Sequence, residues 1–540
     1  MTMEWEKKTQ RKRAELASKI PSEWQLSPEF LQKAASLDDI RHLPRESGIL
    51  TEREIDITES GDATALLQRL ERRDVSAVEV ATAFCKRAAI AQQLTCCLTE
   101  ILFDQAIARA GDLDRQFAET GKLVGPLHGI PISLKDSFNV KGVQSTLGYV
   151  SFLDRPVLKF NSPMVEILLA AGAIIYVKTH LPQTMMTCDS QTNVFGRTRN
   201  PYSRHLTAGG SCGGEGALIA MGGSVLGAGT DVGGSTRIPS LCCGILGFKP
   251  SVGRLPFAGQ TPPGRLGLAG GIAVSTGPLC RSVRDADLFF RTVVSSHPNN
   301  WDDNSLGFPY LNPPKLGSAL TIGILPEDPA FPLHPCMHRT MTIATRKLLA
   351  AGHRVVSLSI DDIPSLSDAC NLAFRFFNMD PDRTPLKHIT DGGEPFIPSL
   401  SMLYNLEGTD PEPTLRDLYD LNIKKAQVAA KMRQAWLKSA VDLIIGPAYQ
   451  SCAPLHDTYG HNVYTAIWNI VDYPACVIPF EHANKAADAA FVRDVAYTPE
   501  YKPDVVEGAP CHVQVVGRRL KDELLLQHAK EVERILTDGE

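Results

Sequence analysis

The chain has 540 residues, 43% apolar and 21% charged, a mix that excludes a disordered or collagen-like protein and supplies ample material for a large core. Its 55 basic and 60 acidic residues leave a net charge of −5, so no global positive field draws nucleic acid or anionic lipid. Thirteen cysteines are sparse at this length, and neighbours such as Cys96-Cys97 and Cys242-Cys243 do not make a small secreted disulfide framework. Met1 to Lys19 is rich in Glu, Lys and Arg rather than apolar like a signal segment, so the expectation is reduced thiols and a cytoplasmic location. The uncharged window Gly216–Thr230 is too short and too glycine-rich for a membrane span, which needs about 20 apolar residues. The terminal Thr537-Asp538-Gly539-Glu540 carries no lipidation or peroxisomal signal.

Residues 1–60 are polar with scattered apolar positions and predict an N-terminal arm of one or two helices. Its basic cluster Arg11-Lys12-Arg13 reads as a solvated face. Ser76-Ala77-Val78-Glu79 is a capping box before an apolar-periodic run through Ala91. A second helix is expected over Thr99–Glu119, stopped by Gly121. Gly129–Asp136 reads as a short buried strand ending in polar residues. Ser162-Pro163 opens a helix that Gly172 closes, and Ala173–Val177 is a strand. The alternation returns late, with a helix over Met337–Ala351 and strands at Leu320–Leu325, Val355–Ile360, Asp442–Ile445 and His512–Val516. A helix at Asp522–Leu536 ends the pattern. Residues 295–320 and 380–415, rich in Pro, Asn, Asp and Gly, read as loops. Helices alternating with strands predict one large α/β unit over 61–540, with a mixed or mainly parallel sheet.

The chemistry concentrates in Ala208–Pro239, where many glycines accompany three serines, two acids and an arginine. Such a backbone approaches ligands closely and offers free amides to an anion, either a phosphate or an acyl-transfer oxyanion. The phosphate reading fails: there is no Gly-Lys-Ser/Thr, and Thr230-Asp231-Val232 interrupts any dinucleotide fingerprint. In the acyl-transfer reading Ser235, after Gly233-Gly234, is the candidate nucleophile. No histidine follows His205 in this stretch, and the G-x-S-x-G elbow is absent around Ser235. A lysine can replace the histidine as base. Lys135 ends an apolar strand, and its amine becomes a usable base near neutral pH if it is buried. Taken alone, Lys135 would be a surface ion-pairing residue and the serines would be turn or cap residues. Cys212 beside Ser211 is a second thinkable nucleophile, with no cue beyond a nearby helix start. The 14 histidines show no metal-binding spacing, so neither metal nor cofactor is expected.

Three blocks change that weighting: Gly125-Pro126-Leu127-His128-Gly129-Ile130-Pro131-Ile132-Ser133-Leu134-Lys135-Asp136, Gly209-Gly210-Ser211-Cys212-Gly213-Gly214-Glu215-Gly216-Ala217, and Gly229-Thr230-Asp231-Val232-Gly233-Gly234-Ser235-Thr236-Arg237. In order and spacing they resemble the amidase signature family of serine hydrolases. Pro182-Gln183-Thr184-Met185 and Gly508-Ala509-Pro510…Gln514…Gly517 extend the likeness, as do Ile20–Trp24 and Phe84–Ala88. Over nearly its full length the chain is most similar to fungal acetamidase-type and general amidases. The resemblance implies an α/β amidase-signature fold, a twisted mixed sheet covered by helices on both faces. It implies a catalytic core at 120–260 and a variable substrate-pocket region at about 295–480. By position it implies Ser235 as nucleophile, Ser211 as a bridging serine preceded by a cis peptide, and Lys135 as base. The amides of Val232, Gly233, Gly234 and Ser235 match the oxyanion loop, Thr230, Asp231 and Arg237 its supports, and Met185 the rim of the substrate site. The implied reaction is hydrolysis of a small-molecule carboxylic amide through an acyl-Ser235. Transfer to another acceptor and a silent binding scaffold are the alternatives. A homodimer is the family habit. The chain departs from the pattern at Ser211-Cys212, where the family often has two serines, and at Leu241-Cys242-Cys243.

Overall fold

The computed structural model describes residues 3–267, 271–317, 319–409 and 411–537. Met1 and Thr2 of the N-terminal arm and the Asp538-Gly539-Glu540 tail thus lie outside the described residues.

Thirteen strands are present among the described residues: β1 Leu98–Ile101, β2 Pro131–Lys135, β3 Ile174–Thr179, β4 Gln191–Thr192, β5 Gly196–Arg197, β6 Leu226–Asp231, β7 Leu246–Lys249, β8 Ser275–Cys280, β9 Thr321–Ile324, β10 Arg354–Ser357, β11 Leu443–Gly446, β12 Ala475–His482 and β13 Pro510–Val516. β4 and β5 form a separate two-stranded ribbon, and the other eleven make one sheet in the order β1-β3-β2-β6-β8-β7-β12-β13-β11-β9-β10. β3, β2 and β6 run parallel, as do β11, β9 and β10. Antiparallel pairs fill the middle and β1 caps one edge, so the sheet is mixed. Every residue of β2, β3, β6, β8 and β13 is buried, as a sheet covered by helices requires.

Local chemistry sets many boundaries. Ser76 and Glu79 close a capping box on the helix Ala77–Thr95. The helix Phe103–Thr120 ends on Gly121 in the left-handed region, φ 65°. Thr99–Ile101, expected to be helical, belongs instead to β1: all four of its residues are buried, and it pairs antiparallel with β3. Tertiary pairing overrides a helical pattern there. Among its described residues the arm contains four α-helices, Glu4–Ser18, Pro28–Ala35, Leu43–Glu46 and Glu52–Glu59, rather than one or two. Its basic cluster is a solvated face only in part, with Arg11 and Arg13 exposed. Lys12 is buried and pairs with Glu100 of β1 at 2.6 Å, and Arg13 Nε donates to the Val194 carbonyl at 2.7 Å. The segment expected as loop over 380–415 holds the helix Thr384–Asp391, and Leu415–Ser439 follows as a 25-residue helix behind a Thr414–Asp417 capping box. No helix among the described residues is long and apolar enough to cross a membrane.

Candidate active site

β2 and β6 are parallel neighbours, and their C-terminal ends carry Lys135 and Thr230. Lys135 is wholly buried. Its Nζ reaches two hydroxyls, Ser211 Oγ at 2.7 Å and Thr230 Oγ1 at 2.9 Å. Ser211 is 1% exposed and follows a cis Gly210–Ser211 peptide. A side chain at Gly210 would lie 2.2 Å from the Thr187 carbonyl, so the backbone comes this close only with glycine there.

The next N–H along, that of Cys212, donates to the Ser235 carbonyl at 3.2 Å, tying the Ser211 segment to the glycine turn. Ser235 is half-buried and lines a cavity of about 50 Å³. The walls are largely apolar: Met185, Met186, Ile238, Phe374, Phe377, Met402, Leu403 and Tyr459, with Val232 and Gly233 of the turn and Asp189, Asp457 and Asn462 as polar members. Met185 adopts φ 60° there.

Asp231 organises the turn. Its Oδ1 accepts the Gly234 N–H at 2.8 Å and its Oδ2 the Thr236 N–H at 3.2 Å. Arg237 clamps the same carboxylate with Nε at 2.9 Å and Nη2 at 3.0 Å. The guanidinium also donates to Gln514 Oε1 at 2.9 Å, Asn469 Oδ1 at 2.7 Å and the Thr465 carbonyl at 3.1 Å. Burial pushes the Asp231 carboxyl up, but Arg237, aided by Lys249 and Asn469, outweighs it and holds the group at about 2. Asn462 Nδ2 and Thr465 Oγ1, the latter at 2.7 Å, both donate to the Gly233 carbonyl. Gly234 sits at φ 134°, where a Cβ would meet Thr465 Oγ1 at 2.5 Å.

This bracing corrects one expectation. The Gly234 amide is engaged by Asp231 and is not a free donor. The amides of Val232, Gly233 and Ser235 have no protein partner among the described residues. Cys212 is fully buried, its Sγ donates to the Thr230 carbonyl at 3.5 Å, and burial raises its thiol. It does not line the cavity, which removes it as a nucleophile.

Five contributors escaped the sequence reading. Asn462, Thr465 and Asn469 form a polar stripe at helical spacing along Val463–Ile470 and its start, an otherwise apolar helix, and that stripe was the available signal. Glu215 is fully buried on the helix Gly213–Ala220, and an acid inside so apolar a segment was its signal. Gln514 stood in a resembling block without a role. No group of three or more His, Cys, Asp or Glu side chains that could hold a metal occurs among the described residues.

A buried lysine bonded to Ser211, with the next amide along tied to the glycine turn whose Ser235 lines an apolar cavity, is an arrangement suited to acyl transfer. Comparison with known proteins gives this class a family: the chain belongs to the amidase signature family, whose amidase model matches residues 79–526. It is 40% identical over 534 residues to an amidase of Gibberella moniliformis, covering 97% of each chain. It is 35% identical to an acetamidase of Emericella nidulans, covering 99% of each. Among solved structures, a fatty acid amide hydrolase superposes with a TM-score of 0.90 at 30% identity, over 99% of this chain and 95% of that one. The protein is accordingly an amidase, a hydrolase of carboxylic amide C–N bonds.

Proposed function

We propose that Lys135, Ser211 and Ser235 form a proton relay and that Ser235 is the acylated nucleophile. The observation that carries this reading is the 2.7 Å contact between Lys135 Nζ and Ser211 Oγ, both buried, with Lys135 bonded to hydroxyls rather than to a carboxylate. In the uncharged form the amine accepts the Ser211 proton while Ser211 takes that of Ser235. Ser235 Oγ then attacks the amide carbonyl. The amides of Val232, Gly233 and Ser235 receive the oxyanion, each such donor lowering the barrier by roughly 3–4 kcal/mol. The relay runs backwards to protonate the leaving nitrogen, since an amide anion leaves poorly. Water then repeats the cycle on the acyl-enzyme. No metal or organic cofactor enters the scheme. Thr230 orients Lys135, and the Asp231–Arg237 pair fixes the turn.

The cavity supports a short acyl group. About 50 Å³ accommodates only a few heavy atoms, and the acetamidase of Emericella nidulans is a relative over nearly the whole chain. Its walls at Phe374, Phe377, Met402, Leu403 and Tyr459 fall in the 295–480 segment proposed to set acyl specificity. Thirteen free thiols support a reducing compartment, and the cytoplasm is the location proposed.

A fluorophosphonate probe should label Ser235 in the wild type and not in Ser235→Ala. Over amides of graded acyl length, kcat/KM should be highest for the shortest acyl groups and fall as chains outgrow the cavity. Labelling at another residue would overturn the assignment, and a preference for long acyl groups would overturn the substrate class.

A further inference from the structure

The relay places a cation at a fully buried position each time Lys135 takes a proton. The two groups its amine touches, Ser211 and Thr230, are uncharged, and a buried cation without a counter-charge is costly.

Glu215 is the buried acid that the scheme above leaves without a task. Its helix, Gly213–Ala220, opens two residues after Ser211. Its Oε2 accepts from Ser133 Oγ at 2.5 Å, and its Oε1 from Thr179 Oγ1 at 2.9 Å. Ser133 precedes Lys135 by two positions on β2, so the two share a face of the sheet. Thr179 is the β3 residue in register with Lys135. The carboxylate is therefore anchored by the hydroxyls that flank the amine, on the amine's side of the sheet. A third hydroxyl, Ser224 Oγ, stands 2.9 Å from Ser133 Oγ and extends the network.

Burial pushes Glu215 up to about 7, while the Ser133 and Thr179 hydrogen bonds and the charge of Lys135 draw it down. The other titratable groups that feel Glu215 are Cys97 ahead of β1, Tyr176 on β3 and Cys212 at the start of its own helix. Burial raises all three, Cys97 to about 12, so they stay neutral at physiological pH. Of the acids in this cluster, Glu215 is the one able to carry negative charge.

Building on the relay, we propose that Glu215 is the electrostatic partner of Lys135: its carboxylate balances the ammonium formed as Ser235 gives up its proton. It acts through Lys135 and touches no substrate. No proton passes to Glu215. The proton leaves Ser235, displaces that of Ser211 onto Nζ, and returns by the same route to the leaving nitrogen.

The test is the pH profile of kcat/KM on the best amide of the graded series. In Glu215→Gln the ammonium loses its counter-charge and the base deprotonates at lower pH. The acid limb should move down by about one pH unit and plateau kcat fall about tenfold, with KM within about twofold of wild type. Glu215→Asp, which keeps the charge, should leave the limb in place. An acid limb of Glu215→Gln at the wild-type position overturns the proposal, and a lower rate without that shift marks a purely structural residue. If the Gln variant fails to fold by calorimetry, Ser133→Ala serves. It strips one donor from the carboxylate and should move the limb the same way by less, and an unmoved limb is again fatal. Failure of the relay itself reads differently, as activity surviving in Lys135→Ala.

Discussion

Two neighbouring strands each bury a lysine, and the two could hardly be used more differently. Lys178 on β3 lies in register with Leu134, so it occupies the face of the sheet opposite Lys135. It forms a buried ion pair with Asp136 at 3.1 Å, and it donates to the Gln144 carbonyl and Ser145 Oγ. Asp136 is further fixed by Thr99 Oγ1 at 2.9 Å and the Leu147 N–H at 2.8 Å. Lys135, equally buried, has only hydroxyls at its amine. Burial is common to both lysines. The partner is what separates a charge locked into the architecture from an amine that the proposed relay uses to exchange a proton.

Exchanging the two lysines for neutral residues should break this contrast most visibly. Lys135→Ala is expected to lower kcat/KM by about 10³-fold or more at a smaller cost in melting temperature than Lys178→Met, since it removes the proposed base, whose amine touches hydroxyls rather than a carboxylate. Steady-state kinetics beside calorimetry checks both halves. Lys178→Met should do the reverse. It leaves Asp136 without its cation and should cost about 3–5 kcal/mol of stability, seen as a lower denaturant midpoint. Adding Asp136→Asn should recover part of that loss, because the uncharged amide no longer needs a counter-ion. A stable, fully active Lys178→Met would show that the two faces of the sheet are not divided as described.

The Asp231–Arg237 pair belongs with Lys178 as a structural charge, and pH sharpens the point. The carboxyl of Asp231 is held at about 2, below the ordinary 3.8. Its contribution to stability is present above about pH 4 and is lost as pH falls through 4 toward 2. Acid unfolding followed by circular dichroism should therefore be steeper over that window in wild type than in Asp231→Asn. Equal slopes would remove Asp231 from the acid-sensitive set.

The sequence made one side of this contrast legible and not the other. Lys135, Ser211 and Ser235 stand in blocks whose residue types and order carry the resemblance, and helix limits such as Ser76 and Gly121 follow from capping chemistry. The Lys178–Asp136 pair was invisible, because nothing in two residues 42 positions apart says that a sheet will place them 3.1 Å apart. Glu215, Thr465 and Asn469 were obscured in the same way, since their roles exist only across elements. The Gly234 amide was misassigned because the direction of one N–H depends on a backbone turn at φ 134°. The β1 strand was taken for helix because pairing with β3, not local preference, decides it.

Cys212 offers the finest test of what surrounds Lys135. The charge of Lys135 draws this thiol down and burial raises it more, so it remains a neutral neighbour. Its Sγ donates to the Thr230 carbonyl, and Thr230 in turn accepts from Lys135 through its hydroxyl. Cys212→Ser restores the serine pair common in the family and keeps that donor, with an oxygen slightly smaller than the sulfur it replaces. The proposed relay, which runs through Ser211, is untouched, so kcat/KM should stay within about threefold of wild type and the pH profile should not move. Abolished turnover would bring the thiol into the chemistry and end the division between a proton-handling lysine and its silent surroundings.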